Sequence, residues 1–391
     1  EGGIRVGKWK TMVKGLFSTS FALGGDSAIR WDKDGALTLG PDRIIPLCVL
    51  AEQYPGILPV LRSQVREVPA HTLPLHEFLT LGRADWHHLP IGESDRRLCR
   101  ALEKGPLSLQ QAADAVGVDK YLLHTGLLEK AGVILRAGLT PADVMHVRGD
   151  YTRYDREAAQ LAVQFAANSL RMLPEEFCDR IYDDVSREVF YGVSQLLLEH
   201  SSPYFRRHGL DDGMRELLRL QWENRHTGGD GLLLYAFRAP AALVGIGGPV
   251  HLFLPEAAKA LGAECIIPDC APTANAVGAV TGRMSASAEA EVRPHGLSPD
   301  DSVQGDWEVL CDGQPPRYFA DEAEAAAWAE ARLRERTEKS LRAQGASGEL
   351  SFVSRVNDMT ADILVGGVKL CTRIRVTAST CLMQTAVKEN R

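Results

Sequence analysis

Three places in the chain bring together residue types at spacings that chemistry could use. The first is Leu243-Val244-Gly245-Ile246-Gly247-Gly248-Pro249-Val250, followed by an apolar segment to Gly262 and by Glu264-Cys265-Ile266-Ile267-Pro268. This order predicts a strand, a glycine turn, a helix and a second strand, with Ala241–Ile246 buried on both faces. Glycine lets backbone approach a ligand where a Cβ would collide, and the N–H groups of a turn feeding a helix favour an anion. Gly245, Gly247, Gly248 and Pro249 are therefore candidates to face a nucleotide phosphate or ribose. The same turn also occurs in strand–helix–strand units that hold no ligand.

The second place is Thr140-Pro141-Ala142-Asp143-Val144-Met145-His146. Thr140 reads as a helix N-cap and Pro141 as the first helical residue, which sets Asp143 and His146 one turn apart on one face. That pair could contact a metal or a substrate, but one carboxylate and one imidazole are too few to define a metal site. A capped helix with an acidic first turn explains Asp143 without any ligand, and is the plainer reading. The third place is the turn Gly24-Gly25-Asp26-Ser27, in which Asp26 either faces a cleft or bonds its own backbone. His71, His76, Glu77 and the pair His87-His88 match no metal-ligand spacing and are expected in surface loops. No Gly-x-Ser-x-Gly elbow occurs, so covalent catalysis has no support.

These residues must be held by elements that 391 residues, 45% hydrophobic and 24% charged, are ample to build as two or three domains. No window approaches the length needed to span a bilayer and no signal core opens the chain, so a cytoplasmic protein without a membrane partner is expected. The eight cysteines form no CxxC pair and suit reduced core thiols. A net charge of −7 argues against a general nucleic-acid binder. Lys33-Asp34-Gly35 between alternating segments predicts a hairpin. Short helices over Asp95–Glu103, Ser108–Val116 and Lys120–Lys130 have a helix-turn-helix look, with Leu122, Leu123, Leu127 and Leu128 on the inner face of the last. Its outer face offers only Lys120, His124, Thr125 and Lys130 to a DNA groove, which favours a structural or interaction role. Long amphipathic helices follow over Asp155–Arg171 and Pro174–His200, the second striped by Phe177, Ile181, Val185, Val189 and Tyr191/Gly192. A strand is expected over Leu232–Phe237, and a small-residue helix packed close to the sheet over Ala274–Met284. Beyond Ser285 the pattern is α+β, with a long Ala/Glu/Arg-rich helix over Asp321–Gln344 and a hairpin turn at Gly366-Gly367.

Several stretches taken in order resemble the hydantoinase/oxoprolinase family, specifically its ATP-binding hydantoinase A-like subunit. They are Val6-Gly7-Lys8-Trp9-Lys10-Thr11-Met12-Val13-Lys14, Leu23-Gly24-Gly25-Asp26-Ser27, Leu39-Gly40-Pro41-Asp42-Arg43, Gly138–His146, Val244–Pro249 and Ala271–Val280. The resemblance covers Glu1–Met284 and leaves the last hundred residues unmatched. It implies an α/β fold similar to the actin, sugar-kinase and Hsp70 ATPases, built on ribonuclease-H-like lobes. On that reading residues 1–90 begin the α/β lobe, 91–137 form a winged-helix-like insert, 138–285 complete the lobe, and 286–391 make a small α+β domain.

The chemistry the resemblance implies is ATP- and Mg-dependent opening of a cyclic amide such as a hydantoin or 5-oxoproline, by phosphorylation of the amide oxygen and attack by water. Gly245, Gly247, Gly248, Pro249 and Asn275 would face the nucleotide, although the plainer reading of Asn275 is a helix cap. Gly24, Gly25, Asp26 and Ser27 would lie at an interlobe turn, and Asp26, Asp143 and His146 are the catalytic candidates. The implied partner is a second hydantoinase-type subunit or another copy of the chain. The family's two Gly-Gly-Thr phosphate loops are not present, so an upstream segment is expected and the isolated chain is expected to bind ATP poorly or not at all. Two alternatives stand beside this reading: the ATP-using subunit of a ketone carboxylase, and a non-catalytic regulatory module that contacts DNA or protein through its helical insert.

Overall fold

The computed structural model describes residues 3–6, 9–14, 20–66, 74–83, 85–226, 235–282, 284–295, 306–311, 313–363 and 366–380. The chain divides into two compact units, Glu1–Pro272 and Thr273–Arg391, and both mix helices with strands, so the protein is of mixed α/β class. Among the described residues no helix is long and apolar enough to cross a membrane.

The first unit opens with a hairpin of β1 (Gly3–Val6) and β2 (Trp9–Lys14). A second hairpin joins β3 (Ser27–Trp31) to β4 (Leu37–Arg43) at the expected place. There the Asp32 carboxylate accepts from the Asp34 and Ala36 N–H groups, and Gly35 supplies a φ of 79°. Then come β5 (Ile45–Pro46), α1 (Leu47–Gln53), α2 (Leu58–Arg66), β6 (Phe78–Leu81), α3 (Glu93–Leu102), β7 (Leu107–Ser108), α4 (Leu109–Val116), α5 (Gly126–Lys130) and β8 (Ile134–Gly138). The order β5-β8-β6-β7 makes a four-stranded sheet, parallel only between β5 and β8. Helices α3 to α5 close a separate small core around Trp86, Leu98, Leu109 and Leu128.

The last helix of that insert is shorter than the leucine spacing predicts. A 3-10 turn takes Lys120–Leu122, capped by the Asp119 carboxylate on the Tyr121 N–H, and α5 begins only at Gly126. Leu128 is buried, while Leu122 is 64% and Leu127 83% exposed. The small core has room for one turn of α5, and glycine at its start contributes little helical preference.

The unit continues with α6 (Pro141–Arg148), α7 (Arg156–Leu170), α8 (Pro174–Ser201), α9 (Pro203–His208), α10 (Asp212–Glu223), β9 (Leu243–Val244), α11 (Val250–Ala260) and β10 (Cys265–Ile266). Phe177, Ile181 and Val185 of α8 are buried with Leu47, Leu50 and Phe78 in the main core, and Phe190 replaces Val189 and Tyr191 as the innermost side chain further along. The strand–turn–helix–strand unit forms with β10 parallel to β9. Its first strand is only two residues long and is not buried on both faces: Val244 and Ile246 are each 60% exposed. Helix α11 covers the Leu243 and Gly245 side, and among the described residues β10 alone pairs with β9, so the opposite face stays wet. Of the strand expected over Leu232–Phe237, residues 232–234 lie outside the described residues and Tyr235–Phe237 are not in a strand.

The second unit begins with α12 (Ala274–Thr281), which is exposed from Asn275 to Ala279 rather than packed on a sheet. Strands β11 (Ser285–Pro294), β12 (Trp307–Cys311), β13 (Arg317–Phe319), β14 (Leu350–Ile363) and β15 (Gly366–Thr380) form an antiparallel sheet in the order β13-β12-β11-β15-β14. Helix α13 (Glu322–Ala343) covers one face, burying Ala325, Ala329, Leu333, Thr337 and Leu341 at a strict spacing of four. Gly366 and Gly367, expected as a hairpin turn, instead open β15 and pair with Ile363 and Asp362; residues 364–365 lie outside the described residues.

Candidate functional site

The Gly24–Ser27 turn and helix α6 are brought together. The Gly24 N–H donates to Ser27 Oγ at 2.9 Å, the Ser27 N–H donates to the Gly24 carbonyl at 3.1 Å, and the Gly25 carbonyl accepts from the Ala142 N–H at 2.9 Å. The turn thus sits on the first turn of α6. Asp26 bonds neither its own backbone nor α6: Arg43 of β4 places Nε at 2.9 Å and Nη2 at 2.7 Å from its Oδ1.

Asp143 is fully buried and caps two helices at once. Its Oδ2 accepts from the Thr140 N–H at 2.9 Å and Thr140 Oγ1 at 2.8 Å, completing the α6 cap that the sequence predicts. It also accepts from the first N–H groups of α1, Leu47 at 3.3 Å and Cys48 at 2.8 Å. Burial pushes the carboxyl pKa up, and the N–H donors of Cys48 and Thr140 pull it back. Four donors from the chain itself occupy this carboxylate, which accounts for it without a ligand.

His146 is equally enclosed. Its Nδ1 lies 2.7 Å from the Ala142 carbonyl, and its Nε2 accepts the Tyr154 N–H at 3.1 Å. With Nε2 as the acceptor, Nδ1 is the nitrogen that donates to the Ala142 carbonyl. Tyr151 meets the ring edge-on and Tyr154 stacks on it. The imidazole pins the segment after α6 instead of facing outward.

The glycine turn before α11 combines tight packing with open space. A Cβ on Gly245 would lie 2.7 Å from Leu254 Cδ2 and 2.8 Å from Val250 Cγ2, so glycine lets α11 close on β9. Gly247 has a φ of 115°, and no atom lies within 4 Å of where a Cβ would stand at Gly247 or Gly248. The Gly247 N–H donates to the Ala271 carbonyl at 2.8 Å, which fixes the corner. The backbone is therefore bare immediately above the first turn of α11, at the C-terminal end of a parallel strand, where ligands of α/β proteins are received. Asn275 belongs to the second unit, as an exposed residue inside α12; the cap position of that helix is Thr273.

A polar cluster not foreseen in the sequence lies under β3. His76 and Glu77 are buried, not in a surface loop; His87 and His88 are exposed and His71 lies outside the described residues. Glu77 accepts from Arg30 Nε at 2.8 Å and Arg136 Nη1 at 2.7 Å, and Arg136 continues to Glu129 at 2.6 Å. Burial opposes the charge of Arg136, but Glu129 and Glu77 more than offset it and raise its pKa. His76 stacks on Trp31 at 5.2 Å and abuts Phe165, and among the described residues neither ring nitrogen has a hydrogen-bond partner. Burial holds its pKa down at about 4. The only sequence signal is alternation: Arg30 and Arg136 each sit mid-strand among apolar neighbours.

Among the described residues no group of three or more His, Cys, Asp or Glu is arranged to hold a metal ion. Burial pushes the Cys48 and Cys178 thiols up, which disfavours the thiolate form. Compared with known proteins, the chain matches no family model, no curated protein and no solved structure.

Proposed function

We propose that this chain works in ATP-dependent opening of cyclic amides, in the manner of the hydantoinases and oxoprolinases it resembles, and that its Gly247–Gly248 corner receives the nucleotide. On this reading the α/β part of the first unit is a lobe of the actin and sugar-kinase type. The observation that carries the reading is the bare backbone at Gly247 and Gly248, set between a parallel strand and the first turn of α11. Parallel strands with a crossover helix present such corners to phosphate or ribose, and the N-terminal N–H groups of the helix add partial positive charge. Phosphoryl transfer from ATP to the amide oxygen releases ADP and turns a resonance-stabilised carbonyl into an imidate phosphate; water adds to its carbon, the ring C–N bond breaks with the nitrogen leaving as the amine, and a second water cleaves the resulting acyl phosphate to carboxylate and inorganic phosphate. The described side chains form no magnesium cluster, and the reading gives them no part in holding that ion.

The test is saturation-transfer NMR with ATP and with adenosine on the full chain and on Gly248→Val, which fills the open space without meeting a neighbour. Nucleotide signals present for the native chain and at least about tenfold weaker for the variant, at unchanged melting temperature, support the reading. Equal signals for both proteins, or no adenosine signal for either, refute it.

A second reading, a protein-binding module built on the insert, is favoured by the exposure of Leu122 and Leu127 where a DNA-reading helix would carry Arg, Lys or Asn. Binding of duplex DNA that weakens with salt would exclude it.

A further inference from the structure

Strand β14 forms one edge of the sheet of the second unit, and among the described residues no strand pairs with its outer side. It is fourteen residues long, which makes it an unusually extended open edge. Edges of this kind are normally blunted by charge, bulge or cover; this one carries Arg355 and Asp358 and a register irregularity between Met359 and Thr360, yet it still displays three large apolar side chains at a spacing of three: Val353 is 56% exposed, Val356 57% and Met359 42%. Because side chains alternate, Val353 and Met359 stand on the face away from α13, and Val356 on the face toward it.

We propose that β14 pairs antiparallel with β14 of a second copy of this chain, with the two-fold axis through Val356, so that the two sheets become one. An antiparallel two-fold keeps each face on its own side, so directly opposed residues must share a face and their numbers must sum to an even value. With the axis at Val356, Val353 opposes Met359 of the second copy, Met359 opposes its Val353, and Val356 opposes its own image. All three exposed apolar residues are then matched with one another. Arg355 opposes Asn357, and Ser354 opposes Asp358, so no like charges meet.

The neighbouring permitted registers lose this fit. Moving the axis to Arg355 sets two guanidinium groups against each other, and moving it to Asn357 sets Val356 against Asp358. Directly opposed like charges and apolar–charge pairs both weaken a ladder, whereas matched apolar pairs strengthen it. The Val356 register also sets Leu350 against Asp362, but of these three registers it alone matches all three exposed apolar residues with one another, as an isologous interface requires.

Sedimentation velocity of the full chain over a wide concentration range tests the association, and cysteine crosslinking tests the register. A dimer is expected, with Val356→Lys shifting it to monomer because two ammonium groups would meet on the axis. That side chain is more than half exposed, so circular dichroism is expected to show an intact fold. Under mild oxidation Val356→Cys is expected to crosslink above the native background, whereas Asp358→Cys is not, since its two thiols would stand about 14 Å apart along the ladder. A chain that is monomeric throughout, a dimer that survives Val356→Lys, or crosslinking through position 358 in preference to 356 would overturn the proposal.

Discussion

Replacing Asp143 by alanine removes the caps of α1 and α6 together. One helix cap contributes about 1 kcal/mol, so two contribute about 2. The loss is larger here because the site is sealed: the N–H groups of Cys48 and Thr140 would stay buried with no acceptor, and a stranded buried donor costs a further ~1–3 kcal/mol. The expected destabilisation is about 3–5 kcal/mol, which corresponds to a fall in Tm of roughly 5–9 °C for a unit of this size. Asp143→Asn should lose about half as much, because its amide oxygen still accepts from Cys48 while its NH2 faces the Thr140 and Leu47 donors. Urea unfolding followed by far-UV circular dichroism measures both variants. A change below about 0.5 kcal/mol in Asp143→Ala would show that the carboxylate is not a structural cap, and would return Asp143 to the ranks of ligand-binding groups.

Two further outcomes follow from the cluster under β3. His76 has a folded-state pKa of about 4 against an ordinary value of 6.5, so the unfolded chain takes up its proton first. Stability is complete above pH 6.5 and falls by roughly 3 kcal/mol as the pH drops toward 4; in His76→Phe, urea midpoints at pH 7.5 and 4.5 should differ much less than in the native protein. Glu77→Ala leaves Arg30 and Arg136 without their shared carboxylate and should cost stability at the low end of about 3–5 kcal/mol, since Arg30 retains some access to water. Thermal melting checks this, and an unchanged Tm would mean that Arg136 is satisfied by Glu129 alone.

What could be read from the residues was local. Thr140, Pro141 and Asp143 announce the start of α6, Asp32 to Gly35 the β3–β4 hairpin, and the spacing of Phe177, Ile181 and Val185 the buried face of α8, because each signal acts within a turn or two of chain. The unread features depend on distant partners. Glu77 is a loop carboxylate until Arg30 and Arg136 arrive from 47 and 59 residues away. Asp143 shows its α6 cap in sequence but not its hold on α1, whose donors lie about a hundred residues earlier. The leucines of Lys120–Lys130 mimic a full helix, and only the size of the insert's core reveals that Leu122 and Leu127 find no place in it. At the candidate nucleotide corner, the glycine turn was legible, whereas the wet face of β9 was not, since an apolar run does not say how many neighbours will flank it.

The chain of ions from Arg30 through Glu77 and Arg136 to Glu129 spans β3, the start of β6, β8 and α5. A small helical subdomain hung on three strands would ordinarily be free to rock; here a carboxylate that grips an arginine on either side ties α5 to β8 and β3 through paired charges. Anything that grasps the insert at Leu127 therefore pulls on the same strand that leads into Arg43 and its clasp on Asp26, so force applied at the rim reaches the glycine turn beside α6 through stiff linkage rather than through slack loop.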